Sequence, residues 1–308
     1  MTMAIIGPEA EAALGWDGIT AAMVAGHTLP RAEISDTLMY RGRDTLLNRS
    51  AWIDGLGLLV KCATVFPANA DRGLPTVNGA VTLFDNATGQ LAALVDFHLV
   101  TKWKTAGDSL LAARHLARPG SRNILIVGAG TVARSMVEAY GSAFPGARFT
   151  FWTRDGKGAR ALAASVPGAV AADDLSAAVG QADIICTATM TTAPLIRGDW
   201  LRPGQHLDLI GAYTPAMREV DDSAMARARV FVDSRATTIH HIGELIEPIR
   251  TGAITEADVI ADFHDLGSGR FSRTSDGEIT IAKNGGGAHL DLMTADYIAR
   301  MWAARAGA

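Results

Sequence analysis

The sequence predicts an α/β protein in which a doubly wound parallel-sheet domain is inserted into a discontinuous α+β domain. Three observations carry that expectation. From Asn123 onward, short wholly apolar strands alternate with helical stretches; a glycine-rich turn joins the first of those strands to the first helix; and the chain upstream reads strand, turn, strand instead. At 308 residues the chain is long enough for two domains. They are expected at 1–117 plus 288–308, and at 118–287.

Taken in order, the chain up to about Arg43 carries only helical patches, at 9–14 and 20–24, with irregular apolar spacing. Residues 56–66 form a continuous β-prone run that stops at Pro67. Residues 80–84 and 91–95 flank the turn Asp85-Asn86-Ala87-Thr88-Gly89 and are expected to pair antiparallel. A helix is expected over 106–116, ended near Pro119-Gly120. Apolar strands follow at 124–127, 149–152, 184–186, 206–210 and 230–232, with helices at 132–140 and around 159–165. Residues 288–302 have Leu292, Ala295 and Ile298 on one helical face and are expected to return to the first domain.

Gly128-Ala129-Gly130-Thr131-Val132-Ala133 matches G-x-G-x-x-A between a strand and a helix, the setting a dinucleotide-binding Rossmann turn requires. Gly128 permits the tight turn and Gly130 lets backbone approach a pyrophosphate. Thr131 and Val132 bring N–H groups to the phosphates at the helix start, and Ala133 allows close packing. An acid normally ends the second strand and binds the ribose 2′-hydroxyl; here Thr153-Arg154 follow Trp152. That pair suits a 2′-phosphate, so NADP(H) is favoured over NAD(H), with Asp155 as the competing acid.

Further segments carry a family signature. They are Leu59-Val60-Lys61 with Val65-Phe66-Pro67-Ala68-Asn69 and Gly73-Leu74-Pro75-Thr76; Lys104-Thr105-Ala106-Gly107-Asp108; and Thr187-Ala188-Thr189, Pro203-Gly204-Gln205-His206 and Ile210-Gly211-Ala212. In this order and spacing the chain resembles the ornithine cyclodeaminase/mu-crystallin family from about Leu56 to Asp291. The resemblance implies a substrate and dimerisation domain built from both chain ends around an inserted Rossmann domain, and a homodimer. It implies that Lys61 and Thr76 contact the substrate carboxylate, that Thr105 and Gly211 lie by the cofactor, and that Thr187, Ala188 and Thr189 line its nicotinamide half. The cyclodeaminases place Asp where this chain has Tyr213, a phenol suited to donating a proton rather than accepting one. Lys104 stands where the family usually has Arg, keeping charge but losing the bidentate fork. The family's N-terminal carboxylate-binding Arg has Arg41 and Arg43 as its nearest counterparts.

These residues suit reduction of a cyclic ketimine 2-carboxylate, with Lys61 and Lys104 clamping the carboxylate and solvent, Lys61 or Tyr213 supplying a proton. Δ1-Pyrroline-2-carboxylate or Δ1-piperideine-2-carboxylate would give L-proline or L-pipecolate. Ornithine cyclodeamination, open-chain imine reduction and non-catalytic ligand binding are the alternatives. A lysine inside an apolar strand, as Lys61 is, costs free energy to bury unless paired, which favours function. Lys+Arg number 28 against Asp+Glu 32, a net charge of −4 that argues against nucleic-acid or anionic-membrane partners. His240-His241 with Glu244 resembles a ligand set but reads better as packing or exposed surface, and no metal is expected. Cys62 and Cys186 stand alone in apolar context, and no secretory leader opens the chain, so a cytoplasmic location is expected.

Overall fold

The structure, a computed structural model, describes residues 3–306. It divides into two compact units, Met1–Lys104 with Gly287–Ala308, and Thr105–Gly286. In the first unit come β1 (Ala4–Ile6), α1 (Trp16–His27), β2 (Glu33–Arg41), β3 (Asp44–Ile53), β4 (Gly57–Val65), β5 (Val77–Phe84) and β6 (Leu91–Asp96). They form a six-stranded sheet in the order β1-β6-β5-β4-β3-β2, antiparallel except for β1 against β6. The C-terminal helix (Ala288–Ala306) packs on β3, β4 and α1. Strand periodicity sets what it meets: Leu59, Lys61 and Ala63 are buried, while Val60 between them is exposed.

Two expectations are corrected here. The segment before Leu56 contains the long hairpin β2–β3, which the sequence pattern did not indicate. Every residue of β2 is exposed, so no buried face imposes alternation on it. The helix expected over 106–116 is α2 (Phe97–Leu116), which begins nine residues earlier. Asp96 caps it, its Oδ1 accepting from Leu99 N–H at 2.7 Å. The division between the units falls inside this helix.

The second unit contains β7 (Asn123–Val127), α3 (Thr131–Ala143), β8 (Arg148–Trp152), α4 (Lys157–Ser165), β9 (Val170–Ala171), α5 (Leu175–Gln181), β10 (Ile184–Thr187) and β11 (His206–Leu209). There follow α6 (Asp222–Arg227), β12 (Arg229–Val232), α7 (Arg235–Thr238), α8 (Gly243–Thr251), β13 (Val259–Ala261) and β14 (Thr280–Lys283). All eight strands are parallel, in the order β13-β12-β14-β11-β10-β7-β8-β9. This is the doubly wound sheet the sequence predicts. The apolar runs are core: Leu125, Val127, Ile185, Leu207, Leu209, Val230, Val232 and Ile281 form one buried cluster. β14 inserts between β11 and β12, which puts Lys283 at the carboxyl end of a central strand, where such sheets carry their sites.

Candidate active site

In the first unit the site centres on Lys61. Its ammonium donates to Asp291 Oδ1 at 2.8 Å and to Thr101 Oγ1 at 2.9 Å, and lies 4.8 Å from the Phe97 ring centroid. Both members of the ion pair are buried, Asp291 completely. Burial pushes the Lys61 ammonium below the usual lysine range; Asp291 opposes that shift, and Lys104 and Arg49 add to it. For Asp291, burial pushes the carboxyl up, but Lys61, Lys104 and Arg49 together outweigh burial and hold it below the usual carboxylate range. A buried lysine flanked by two further cations can attract a carboxylate and gives up its proton more readily than an exposed one.

Lys104 is half-buried on α2 and acts electrostatically on both members of the pair. Thr76 is half-buried, and its carbonyl accepts the Phe66 N–H at 2.8 Å. Arg41 lies elsewhere. It sits at the tip of the β2–β3 hairpin, 81% exposed, paired with Asp44 at 2.9 Å and 5.7 Å from the Phe66 ring. The guanidinium at the level of Lys61 is Arg49, directly opposite it in the β3–β4 register and held by Asp36 through Nε and Nη2 at 3.0 and 2.8 Å. Sequence reasoning missed Arg49 and Asp291. The signal for Asp291 was the one that singled out Lys61: a lone charge among apolar neighbours, here Leu290, Leu292 and Met293.

In the second unit the glycine turn has the geometry its motif implies. Gly128 has φ +124°, and a Cβ there would lie 2.6 Å from the Ala188 carbonyl oxygen. A Cβ on Gly130 would meet nothing within 4 Å, so bare backbone faces open space at the start of α3, a helix whose N-terminus no side chain caps. Thr131 is exposed and Val132 half-buried in the first turn of that helix. This bare, uncapped terminus fits the pyrophosphate of a dinucleotide. Beside it, a pocket of about 350 Å³ is lined by Gly128, residues 152–154, residues 188–191 and Leu195; the one charged side chain in that lining is Arg154. Asp155 does not contribute to it: Oδ1 accepts from Thr153 Oγ1 at 3.3 Å and from Lys157 N–H at 3.1 Å. The Thr153 hydroxyl also accepts the Ala159 N–H of α4.

Thr187 is buried at the end of β10, and Thr189 follows two residues later. Both bond to a residue the sequence reading passed over, Glu219, as do the N–H groups of Gly211 and Ala212. Thr105 is half-buried on α2. Tyr213 is 60% exposed on the segment after β11. Of the histidine pair, His240 is exposed and lies 3.7 Å from Glu256, whereas Glu244 is fully buried. The three do not form a cluster. Glu244 accepts the backbone N–H groups of Glu219 and Val220, and burial, reinforced by Glu219, pushes its carboxyl up to about 7.

The sequence profile of the ornithine cyclodeaminase/mu-crystallin family matches residues 53–305. The Delta(1)-pyrroline-2-carboxylate reductase of Paracoccus denitrificans is 53% identical over 301 residues, covering 96% of this chain and 95% of that protein. Among solved structures, Thermococcus litoralis Delta(1)-pyrroline-2-carboxylate reductase, in complex with NADH and L-proline, superimposes with a TM-score of 0.90 at 23% identity over 99% of this chain and 98% of that one. An archaeal alanine dehydrogenase dimer with bound NAD gives 0.89 at 25% identity, covering 99% of this chain and 98% of that one.

Proposed function

The chain belongs to the ornithine cyclodeaminase/mu-crystallin family, and from that premise we propose that it reduces a cyclic ketimine bearing a 2-carboxylate. Δ1-Pyrroline-2-carboxylate gives L-proline, and the six-membered Δ1-piperideine-2-carboxylate gives L-pipecolate. One observation carries the reading: Lys61, buried against Asp291 with Arg49 and Lys104 acting on both, presents positive charge suited to one small anion. The nicotinamide supplies hydride to the imine carbon when bound. The chain's own residues do the rest. Lys61 and Lys104 hold the carboxylate, with Thr76 beside them. Lys61, its ammonium depressed by burial, or Tyr213 protonates the imine nitrogen, which makes the carbon electrophilic. One imine, one proton and one reduced nicotinamide become one secondary amine and one oxidised nicotinamide. Deamination of ornithine needs a carboxylate to accept the amine proton, and residues 210–215 contain none.

The cofactor reading assigns the phosphates to Gly128, Gly130, Thr131 and Val132, and the nicotinamide half to Thr105, Thr187, Ala188, Thr189 and Gly211. NADPH is preferred to NADH, because Thr153 and Arg154 offer a hydroxyl and a guanidinium to a 2′-phosphate and the pocket lining holds no acid. The protein works as a homodimer in the cytoplasm. Exposed Ile34, Leu38, Trp52 and Val60 on β2–β4 support the dimer, and the unpaired cysteines Cys62 and Cys186 suit a reducing compartment. The test is direct. Purified protein supplied with either cyclic imine should oxidise NADPH stoichiometrically, faster than NADH, and release no ammonia from ornithine. No cofactor oxidation with either ring would refute the reading.

A further inference from the structure

The motifs that identify the cofactor site leave out the group that holds its loops in place. The segments after β10 and after β11 are separate in sequence and meet where the Ile210 and Gly211 N–H groups donate to the Thr187 carbonyl, at 2.9 and 3.2 Å. Both are tied to the Glu219 carboxylate. Oε1 accepts from Thr189 N–H at 2.9 Å and from Thr189 Oγ1 at 2.6 Å. Oε2 accepts from Thr187 Oγ1 at 2.8 Å, Gly211 N–H at 2.8 Å and Ala212 N–H at 3.2 Å. Five donors thus converge on a side chain with no solvent exposure.

Two independent features show that this spacing is tightly set. A Cβ on Gly211 would collide with Thr189 backbone and with Glu219 Oε1, so position 211 must be glycine for the two segments to approach this closely. Glu219 is itself pinned from behind: its N–H and that of Val220 donate to Glu244 at 2.8 and 3.0 Å, and its carbonyl accepts from Leu195 and Ile196. Such a carboxylate cannot slide or rotate to follow a loop.

We propose that Glu219 is a positioning residue for hydride transfer, a buried clamp that fixes the spacing between the Thr187–Thr189 segment and the Gly211–Ala212 segment. The proposal rests on the reading above, in which those segments line the nicotinamide half of the cofactor. Glu219 acts through Thr187, Thr189 and Gly211 and touches neither substrate nor cofactor. Glutamine is not an equivalent clamp. Both oxygens accept from backbone N–H groups, so the amide –NH2 of Glu219→Gln faces a backbone donor in either orientation.

The experiment compares Glu219→Gln and Glu219→Asp with the unaltered full-length protein, using NADPH and Δ1-pyrroline-2-carboxylate. The expected result is a folded Glu219→Gln protein whose kcat at saturating cofactor and imine falls about 30- to 100-fold, the scale of a displacement near 1 Å at a reacting centre. The imine KM should stay within about twofold, because the cations that hold the carboxylate are untouched. NADPH fluorescence titration should show a dissociation constant raised about tenfold, the worth of one lost charged hydrogen bond. Should the glutamine variant fail to fold, Glu219→Asp, which keeps the charge but is one methylene short of spanning both segments, should show the same split. A folded variant with kcat near the unaltered value overturns the proposal, as does failure of both variants to fold, which would make the carboxylate purely architectural. If the unaltered protein does not reduce the imine, the functional reading has failed instead; the clamp then stands or falls on the NADPH dissociation constant of the variants, an unchanged value overturning it.

Discussion

Replacing Asp291 with asparagine tests the core of the proposed substrate site. The change keeps shape and removes one charge from a pair 2.8 Å apart and almost wholly buried. At that separation, with an effective dielectric constant of about 20, the direct attraction is about 6 kcal/mol. The desolvation of both ions, already incurred on folding, offsets much of it, and removing one partner of a buried pair typically costs roughly 3–5 kcal/mol because the other charge is stranded. The melting temperature should therefore fall by roughly 10 °C. Function should fail in a specific way. Asp291 is what raises the Lys61 pKa against burial, Lys104 and Arg49, so in Asp291→Asn the lysine titrates still lower and is more readily deprotonated. The imine KM should rise roughly tenfold to a hundredfold, the worth of a charged hydrogen bond to a carboxylate. It should recover as the pH is lowered and the amine reprotonates. Steady-state kinetics across pH, with a thermal melt at each pH, measures both. The double variant Lys61→Met with Asp291→Leu should regain much of the stability and none of the activity. An Asp291→Asn protein that melts and binds imine like the unaltered one would refute the reasoning.

Other expectations follow from the same geometry. Lys61→Met should lower kcat/KM by at least about a hundredfold, whereas Tyr213→Phe, a change at an exposed phenol, should cost about threefold or less; comparing the two rates assigns the proton donor. Gly128→Ala combines a φ of +124° with a collision against the Ala188 carbonyl and should weaken NADPH binding by on the order of a hundredfold, read by fluorescence titration. Arg154→Ala should cut kcat/KM for NADPH about tenfold or more and leave NADH within about threefold, narrowing the preference in parallel assays. Glu244, pushed by burial up to about 7 from the ordinary 4.5 of a glutamate, gives a pH dependence of defined sign. Between those values the folded chain keeps a proton that the unfolded chain has released, so this group's contribution falls as pH rises, by about 3 kcal/mol in all, and is flat above. His206, buried and depressed to about 3, has the opposite slope between about 3 and 6.5, so the Glu244 effect is isolated by subtracting the Glu244→Gln unfolding curve at each pH from that of the unaltered protein.

How legible each part was depended on whether local chemistry alone dictated it. The β7–Gly128–α3 unit is readable because the apolar strand, the positive φ and the bare helix start each demand particular residue types. Strands β10 and β12 are readable because a parallel sheet buried on both faces favours a nearly unbroken apolar run, and β11 is less so, since buried His206 and Asp208 alternate there with Leu207 and Leu209. The hairpin β2–β3 is not, since β2 is exposed throughout and its pairing is decided across strands rather than along one. The front half of α2 is hidden because β-favouring Phe97, Leu99, Val100 and Thr101 continue the apolar run of β6, with Asp96 the single stop signal. Arg49 is invisible for a related reason: its place beside Lys61 is a fact of register, and nothing in the linear sequence reports that 49 lies opposite 61.

The buried charges share one logic with opposite signs. In the first unit Lys61, Lys104 and Arg49 act on one fully buried carboxylate, Asp291, with Asp36 at the edge holding Arg49; the residual sign favours an anion. In the second unit Glu219, Glu244, Asp233 and Asp208 are all buried and act on one buried lysine, Lys283, whose ammonium donates to the Leu209 and Asn284 carbonyls. Three of those carboxylates spend lone pairs on backbone, Asp233 accepting from Gly285 and Gly286, Glu244 from Glu219 and Val220, and Glu219 from the loops after β10 and β11, while Asp208 accepts from the side chains of Tyr140 and Asn284. Burying so many acids is costly unless each is satisfied or protonated. Asp208 and Glu244, pushed up to about 6 and about 7, take the second course in part. A single ionisable residue inside or ending an apolar run is thus the signal common to Lys61, Asp291 and Lys283, whereas Glu219, next to Arg218 and close to Asp221 and Asp222, carries no such signal. In the first unit the signal marks a buried pair whose surrounding surplus of charge is positive, and in the second it marks charge turned inward, Lys283 onto the Leu209 and Asn284 carbonyls.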